Sequence, residues 1–376
     1  MIIRPNNPFL VSEYISPEYF CDRVQETHEL LEDLHNGWNI TLIAPRRIGK
    51  TGLIRNAFYQ LKETNPEIKT YYIDIMGTQN LRDFIGLLAS EILGSLDSDV
   101  QKAIKHVNEI VKSCHPVLTF DDLTGVPKFT VDVDPARQET SLKEIFQYLG
   151  ESKQICYIAI DEFQKVADYP EGGTEAILRS YIQFLPNVRF IFAGSKRHML
   201  TQMFMDASRP FYRSTRIKSL EVIPEDAYFS FASYFFNLQN RKLTEEVFNQ
   251  IYALTKGHTW YVQALLKELY SYWQSEINLP LLDQAFRTLV KENGVFYETL
   301  FDLYSPSVMR LLKAIAREGT VKEINASAFI SKYNLKAASS VSSALKVLTE
   351  TDQVCKTENG YRLYDPFLAA WLRMLY

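Results

Sequence analysis

Two short runs carry residues whose types and spacing fit chemistry on a phosphate chain. The first is Ala44-Pro45-Arg46-Arg47-Ile48-Gly49-Lys50-Thr51, set between the apolar run Trp38 to Ile43 and the amphipathic run Gly52 to Lys62. Strand, tight loop and helix are the context a phosphate-binding loop requires. Backbone N–H groups from Arg46 to Gly52, in the loop Pro45–Gly52, are not consumed by the helix and turn inward together, making a positive concavity for phosphate. Gly49 permits close approach of the backbone. Lys50 reaches the outer phosphates as a mobile point charge, and Thr51 offers a hydroxyl to Mg²⁺. The usual pattern opens with Gly where this chain has Ala44; the added methyl group needs only a small backbone adjustment. A chance Gly-Lys-Thr is the competing reading, and the strand before it and helix after it favour phosphate.

The second run is Ile155-Cys156-Tyr157-Ile158-Ala159-Ile160-Asp161-Glu162. Its nearly continuous apolar stretch reads as a parallel strand buried on both faces. Chemistry in open α/β sheets sits at the carboxyl ends of strands. Asp161 is therefore placed to hold Mg²⁺ through water, and Glu162 to orient or deprotonate an attacking water. An ordinary acidic turn is the alternative, and the phosphate loop argues against it. A third strand, Val188 to Ala193, ends at Gly194-Ser195. The Ser195 hydroxyl there could sense the outer phosphate or the water, or simply cap a turn.

The remaining chain must bring these strand ends together. Residues 1–19 are polar and rich in proline, an extended lead-in; a helix is expected from Phe20 to His35. After the loop helix come a strand at Thr70–Ile75, helices at Leu81–Leu96 and Val100–Lys112, a β-hairpin insertion near 117–134 and a helix at Ser141–Leu149. A helix at Ala176–Leu185 and a strand at Ile217–Val222 complete the pattern. Strands alternating with helices predict an α/β class with a helix-flanked parallel sheet. Residues 223–295 are all helical, the last helix at Pro280–Lys291. Residues 296–376 hold helices at Ser307–Arg317, Asn325–Tyr333 and Ala337–Thr349, then a hairpin turning at Glu358-Asn359-Gly360, which predicts a winged helix-turn-helix. The expected domains are 1–222, 223–295 and 296–376.

Length and composition agree with two or three globular domains: 376 residues, 46% hydrophobic and 23% charged. The net charge of −4 makes no global case for nucleic acid or an acidic membrane. Residues 305–376 differ, with ten Lys/Arg against six Asp/Glu, while the rest carries 31 against 39. The one basic segment has a DNA-binding shape, although a winged helix also docks proteins. The four cysteines are scattered without metal-ligand spacing. Neither a signal peptide nor a spanning apolar stretch is present, so the sequence predicts a cytoplasmic protein with no membrane contact.

Taken together, these motifs resemble the P-loop ATPases of the AAA+/STAND group known as archaeal-type ATPases, over nearly the whole chain. Asn7-Pro8-Phe9 with Phe20-x-x-Arg23-x-x-Glu26 resembles that family's N-terminal signature, which lies beside the adenine. Pro45 to Thr51 resembles its Walker A loop, Asp161-Glu162-Phe163-Gln164 its Walker B motif, and Ser195 falls at the sensor 1 position. Gly257-His258-Thr259 resembles the Gly-x-Pro of the family's helical lid, with Thr in place of Pro. Tyr361 to Trp371 resembles the end of its winged helix.

The resemblance implies an ATPase acting on the β–γ bond with Mg²⁺, the nucleotide lying between α/β core and lid. Phe20 and Arg23 would neighbour the base, and His258 would approach it from the lid or serve as a hydrogen-bonded structural histidine. Arg46 and Arg47 would face phosphate, or remain solvated or pack on the sheet. Arg209 and Arg213 are candidates for an arginine finger, supplied within the chain or, on self-association, to a neighbour; a salt bridge to Asp206 or Glu221, or simple solvent exposure, is the alternative. Some relatives continue into a nuclease-like domain, an activity not expected of a chain ending at Tyr376. The competing class is a slow nucleotide switch, resting with ADP, whose output is DNA or protein binding by residues 296–376.

Overall fold

The structure, a computed structural model, describes residues 4–94, 113–120, 127–152 and 154–375. The helix expected at Val100–Lys112 lies outside the described residues. The chain forms two compact units: Ser12–Ile223, and Arg4–Val11 together with Pro224–Tyr376.

The first unit is built on strands β1 (Ile40–Ile43), β2 (Lys69–Asp74), β3 (Cys114–Phe120), β4 (Pro127–Val133), β5 (Cys156–Asp161), β6 (Val188–Gly194) and β7 (Arg216–Ser219). Five of them form one sheet in the order β2-β5-β6-β1-β7, every neighbouring pair parallel. β1 and β5 are buried along their whole length, as strands covered on both faces must be. Their side chains alternate between two cores. Ile158, Ile160, Phe190 and Phe192 face a core closed by helices Leu81–Gly94, Gln138–Glu151, Thr174–Ile182 and Arg197–Met205. Tyr157, Ala159, Ile191 and Ala193 face a second core closed by helices Val24–His35 and Lys50–Thr64. β3 and β4 pair antiparallel from Cys114↔Val133 to Phe120↔Pro127, the hairpin expected near 117–134 with its first strand beginning three residues earlier.

Two elements differ from expectation. The first helix begins at Val24 rather than Phe20, because Asp22 and Arg23 adopt left-handed backbone with φ of 53° and 61°, which no helix continues through. A helix over Arg197–Met205 was not expected, although its buried residues Leu200, Met203 and Phe204 have helical spacing.

The second unit opens with helices Glu225–Leu238, Glu245–Thr255 and Thr259–Ser271, tied by the two-residue parallel pair β8 (Lys242–Leu243) and β9 (Glu276–Ile277). The next helix does not stop at Lys291: it runs unbroken from Leu279 to Leu303. Its Gly294 makes room for Trp371, whose indole nitrogen lies 2.8 Å from where a β-carbon would stand. Tyr297 donates to Asp365 at 3.0 Å. One helix thus braces both the helical segment and the winged helix that follows.

That winged helix consists of helices Pro306–Glu318, Ser327–Lys332 and Ala338–Glu350, the antiparallel hairpin β10 (Val354–Thr357) and β11 (Gly360–Leu363), and a closing helix Pro366–Leu375. The closing helix went unread in the sequence; it starts with Pro366, and the Asp365 carboxylate accepts from the backbone N–H of Phe367 and Leu368.

Asn7 and Phe9 also fold with this unit. The Asn7 amide donates to the Lys267 carbonyl at 2.9 Å, and the fully buried Phe9 ring packs among Phe231, Phe235, Phe236 and Tyr270. Phe9 is thus an aromatic plug in the helical segment.

Gly360 carries a prediction. Its φ is 122°, and a β-carbon would lie 2.3 Å from the Val321 carbonyl oxygen and 2.7 Å from the Lys322 Cα. Backbone atoms cannot swing aside as a side chain would. Gly360→Ala should cost about 2–3 kcal/mol, read as a lower urea midpoint with an unchanged slope.

Candidate active site

The strand order decides which residues meet. β6 lies between β1 and β5, with Ile43 level with Gly194 and Ile160 level with Phe192. The carboxyl ends of these three strands therefore present the Ala44–Thr51 loop, Ser195 and Asp161-Glu162 side by side.

The loop turns into its helix through Gly49, whose φ of 97° suits only glycine well. Arg47 also sits in left-handed backbone, with φ 65°. Ala44 is fully buried within the second core, so its methyl group is accommodated. Lys50 follows at the first helical position and is buried. Its ammonium lies 2.5 Å from Asp161 Oδ1 and 3.3 Å from Glu162 Oε1. The Thr51 hydroxyl donates to Asp161 Oδ2 at 3.0 Å, and the Tyr72 hydroxyl donates to the same oxygen at 2.6 Å.

Burial alone would push the Asp161 carboxyl up; the charge of Lys50, its hydrogen bond and that of Tyr72 hold it below the usual carboxylate range instead. For Glu162, burial is likewise outweighed by Lys50 and by hydrogen bonds from Gln164 and Ser195, so it too is held low. Both carboxylates are therefore anionic at neutral pH, side by side, around one cation.

Glu162 stands in left-handed backbone, with φ 55°. Its Oε2 accepts from Gln164 Nε2 at 2.5 Å and from the Ser195 hydroxyl at 2.9 Å. Arg46 Nε donates to Ser195 Oγ at 3.4 Å. Thus Lys50, Thr51, Asp161, Glu162, Ser195 and Arg46 form one connected cluster. Phe20 lies against the same loop helix: a β-carbon on Gly52 would stand 2.8 Å from its ring. Arg23 is buried, and its guanidinium donates to the carbonyls of Ile48 at 3.3 Å and Glu221 at 2.5 Å and pairs with Glu26. Arg23 thereby staples the loop to the chain beyond β7.

Three further expected site residues have their own surroundings. Arg209 pairs with Glu175, not with Asp206 or Glu221, because the turn after helix Arg197–Met205 comes back against the start of helix Thr174–Ile182. Arg213 is exposed, its guanidinium 5.3 Å from the Tyr212 ring centre. His258 belongs to the second unit, where its buried ring meets Tyr364 edge-on at 4.9 Å. Tyr72 enters the cluster without having been singled out, and Gln164, quoted only as part of a motif, enters it with a role the sequence did not assign. Asp74, level with Asp161 on β2, adds a further carboxylate at the strand ends. Only the pairing of β2 with β5 makes Tyr72 and Asp74 neighbours of Asp161, and sequence does not print that pairing.

The architecture matches solved structures over almost its full length. The Walker-type ATPase PABY2304 of Pyrococcus abyssi aligns at 20% identity and TM-score 0.67, covering 97% of this chain and 99% of that one. The Aeropyrum pernix ORC2 protein, solved in ADPNP–ADP complexes, aligns at 16% identity and TM-score 0.51, covering 98% of each chain. The Aeropyrum pernix ORC1 protein, solved with DNA, aligns at 11% identity and TM-score 0.56, covering 98% of this chain and 96% of that one.

This chain shares the fold of these three solved structures. A family described as "probable winged helix domain" matches residues 295–374, where the structure has its helices and wing. Among curated proteins none matches the sequence. Within the described residues, no helix is long and apolar enough to cross a membrane.

In this fold the buried Lys50 lies between two anionic carboxylates, so removing it should unbalance the core. Lys50→Met should cost about 3 kcal/mol at pH 7, the scale for leaving buried charge uncompensated. Carboxyls with lowered native pKa values stabilise fully above their unfolded values, and that stability is lost as pH falls through the native ones. The wild-type advantage should therefore hold above about pH 4.5 and shrink below about pH 4, a trend that denaturation midpoints from pH 3 to 7 would follow.

Proposed function

We propose that the protein binds ATP with Mg²⁺ and hydrolyses its β–γ bond. The observation that carries this reading is the buried Lys50 between Asp161 and Glu162, with the Thr51 hydroxyl on the same Asp161. The donor set fits the ligand. A hydroxyl and a carboxylate oxygen 3.0 Å apart are hard oxygen ligands of the kind Mg²⁺ takes together with phosphate oxygens and water. Lys50, with a flexible stem and a cation already desolvated, can exchange carboxylate oxygens for phosphate oxygens. Bound Mg²⁺ would neutralise charge on the phosphates and polarise the γ-phosphorus.

The protein's own groups do the rest by position and charge. The Pro45–Gly52 loop cradles the phosphates with its backbone N–H groups. Ser195, on Glu162 and within reach of Arg46, reports the state of the outer phosphate. Glu162 takes up a proton from the attacking water. Phe20 and Arg23 bound the loop on the side assigned to the base, and His258 lies at the start of a helix in the second unit. Arg209 or Arg213 serves as the arginine finger, Arg209 after leaving Glu175.

The winged helix is the output element, and we assign it to duplex DNA. Its third helix exposes Ser339, Ser342, Ser343 and Lys346, with Lys336 just before it. Hydroxyls and lysines suit base edges and phosphates, and this is the basic part of the chain. Fluorescence anisotropy with a labelled duplex should show binding that weakens steeply as salt rises; binding absent at low salt would leave the segment as a protein-docking module.

For the enzyme reading, Mg²⁺-dependent phosphate release is measured for wild type and Glu162→Gln. Turnover should fall about 10²–10⁴-fold, the range a positioned base supplies, while ATP still binds. Equal turnover in the two proteins contradicts hydrolysis by Glu162 and favours a slow switch.

A further inference from the structure

Resting on the reading of Glu162 as the base, we infer that Gln164 is its positioning residue, that Gly194 exists to admit the Gln164 amide, and that Oε1 rather than Oε2 acts on water. Gln164 follows the strand end by three residues, in the 3₁₀ turn Phe163–Asp168, and is buried to 2% exposure. A buried glutamine on a turn is costly unless its amide is used. Here Nε2 donates to Glu162 Oε2 at 2.5 Å, whereas no donor among the described residues meets its Oε1. The amide orientation is thus fixed by the carboxylate alone. Turned over, its oxygen would face an anionic oxygen.

The two oxygens of Glu162 are unequal. Oε2 takes Gln164 Nε2 and the Ser195 hydroxyl at 2.9 Å. Among the described residues, Oε1 takes only the Lys50 ammonium, at the longer distance of 3.3 Å. Lys50 is the one of these donors that phosphate would draw away, and Oε1 is then released while Oε2 stays anchored. A base needs this division, with one oxygen held to fix the side chain and one open to accept a proton. The left-handed φ of 55° at Glu162 places the carboxylate where neither helix nor strand would direct it, so side-chain anchoring replaces backbone regularity.

Gly194 completes the device. A β-carbon there would stand 2.1 Å from Gln164 Oε1 and 2.9 Å from a methyl carbon of Leu200. Its backbone is ordinary extended strand, paired with Ile43, so the absent side chain serves space and not conformation. Since the obstructed atoms end flexible side chains, Gly194→Ala should displace the Gln164 amide rather than break the sheet.

The test uses the full chain carrying Gln164→Met, Gly194→Ala or both, with two readouts. In steady-state kinetics each single variant should lower kcat about 10- to 100-fold, part of the range open to a positioned base, with KM for ATP within about twofold of wild type. The double variant should be no slower than the worse single, because both remove one interaction. In ¹⁵N spectra the Gln164 side-chain amide, assigned by its loss in Gln164→Met, should shift in Gly194→Ala and in Glu162→Ala. This second readout needs no turnover: if wild type proves inactive, the hydrolysis reading falls and the amide resonance still decides this one. A Gln164→Met protein with kcat at or above wild type, a double variant whose losses multiply, or an amide resonance unmoved by Glu162→Ala would overturn it.

Discussion

One buried ammonium holds the first unit's strand ends together. Lys50 stands 2.5 Å from Asp161 and 3.3 Å from Glu162, and without it two adjacent anions would face each other in a site that water barely reaches. Everything nearby serves that arrangement. Gly49 starts the loop helix at the right place, and the burial of β1 and β5 sets the strand ends level. Tyr72 and Thr51 share the oxygen that Lys50 leaves free, Asp161 Oδ2. Desolvation makes the attraction strong and also makes the lysine hard to remove. A cation held by two carboxylates can be shared with a third anion, and that is the physical content of the phosphate site proposed here.

The sheet order turns this local chemistry into a site. Because β6 separates β1 from β5, Ser195 falls between the loop and the acidic pair rather than at the edge. Ser195 touches Glu162 on one side and Arg46 on the other. Any ligand that moves Arg46 or Lys50 therefore changes the hydrogen bonding of Glu162 without a further messenger. In the second unit the unbroken helix Leu279–Leu303 plays the comparable part, since Gly294 and Tyr297 bind it to the closing helix of the winged domain.

How far the sequence could be read follows from what each residue depends on. Lys50, Thr51, Asp161 and Glu162 are placed by the strand or loop immediately before them, so spacing alone could single them out. The parallel sheet, hairpin and winged helix were legible from apolar periodicity and turn residues. Gln164 and Tyr72 were not, because their partners depend on a tight turn and on the pairing of β2 with β5. Arg209 finds Glu175 across 34 residues, and no local rule selects it over Asp206. The Phe9 ring is an aromatic plug in the helical segment, a packing choice that a three-residue motif cannot express. The start of the first helix was missed because left-handed backbone at Asp22 and Arg23 is set by the Arg23 contacts to Ile48 and Glu221, far apart in sequence.

The central claim is that the Lys50–Asp161–Glu162 cluster is a site for a nucleotide and Mg²⁺. Calorimetric titration of the full chain with ATP, with and without Mg²⁺, tests it most directly. The account predicts one site per chain, binding strengthened by Mg²⁺, and loss of that Mg²⁺ effect in Thr51→Val with Asp161→Asn. Heat indistinguishable from dilution at millimolar ATP, or binding indifferent to both Mg²⁺ and these substitutions, would contradict it.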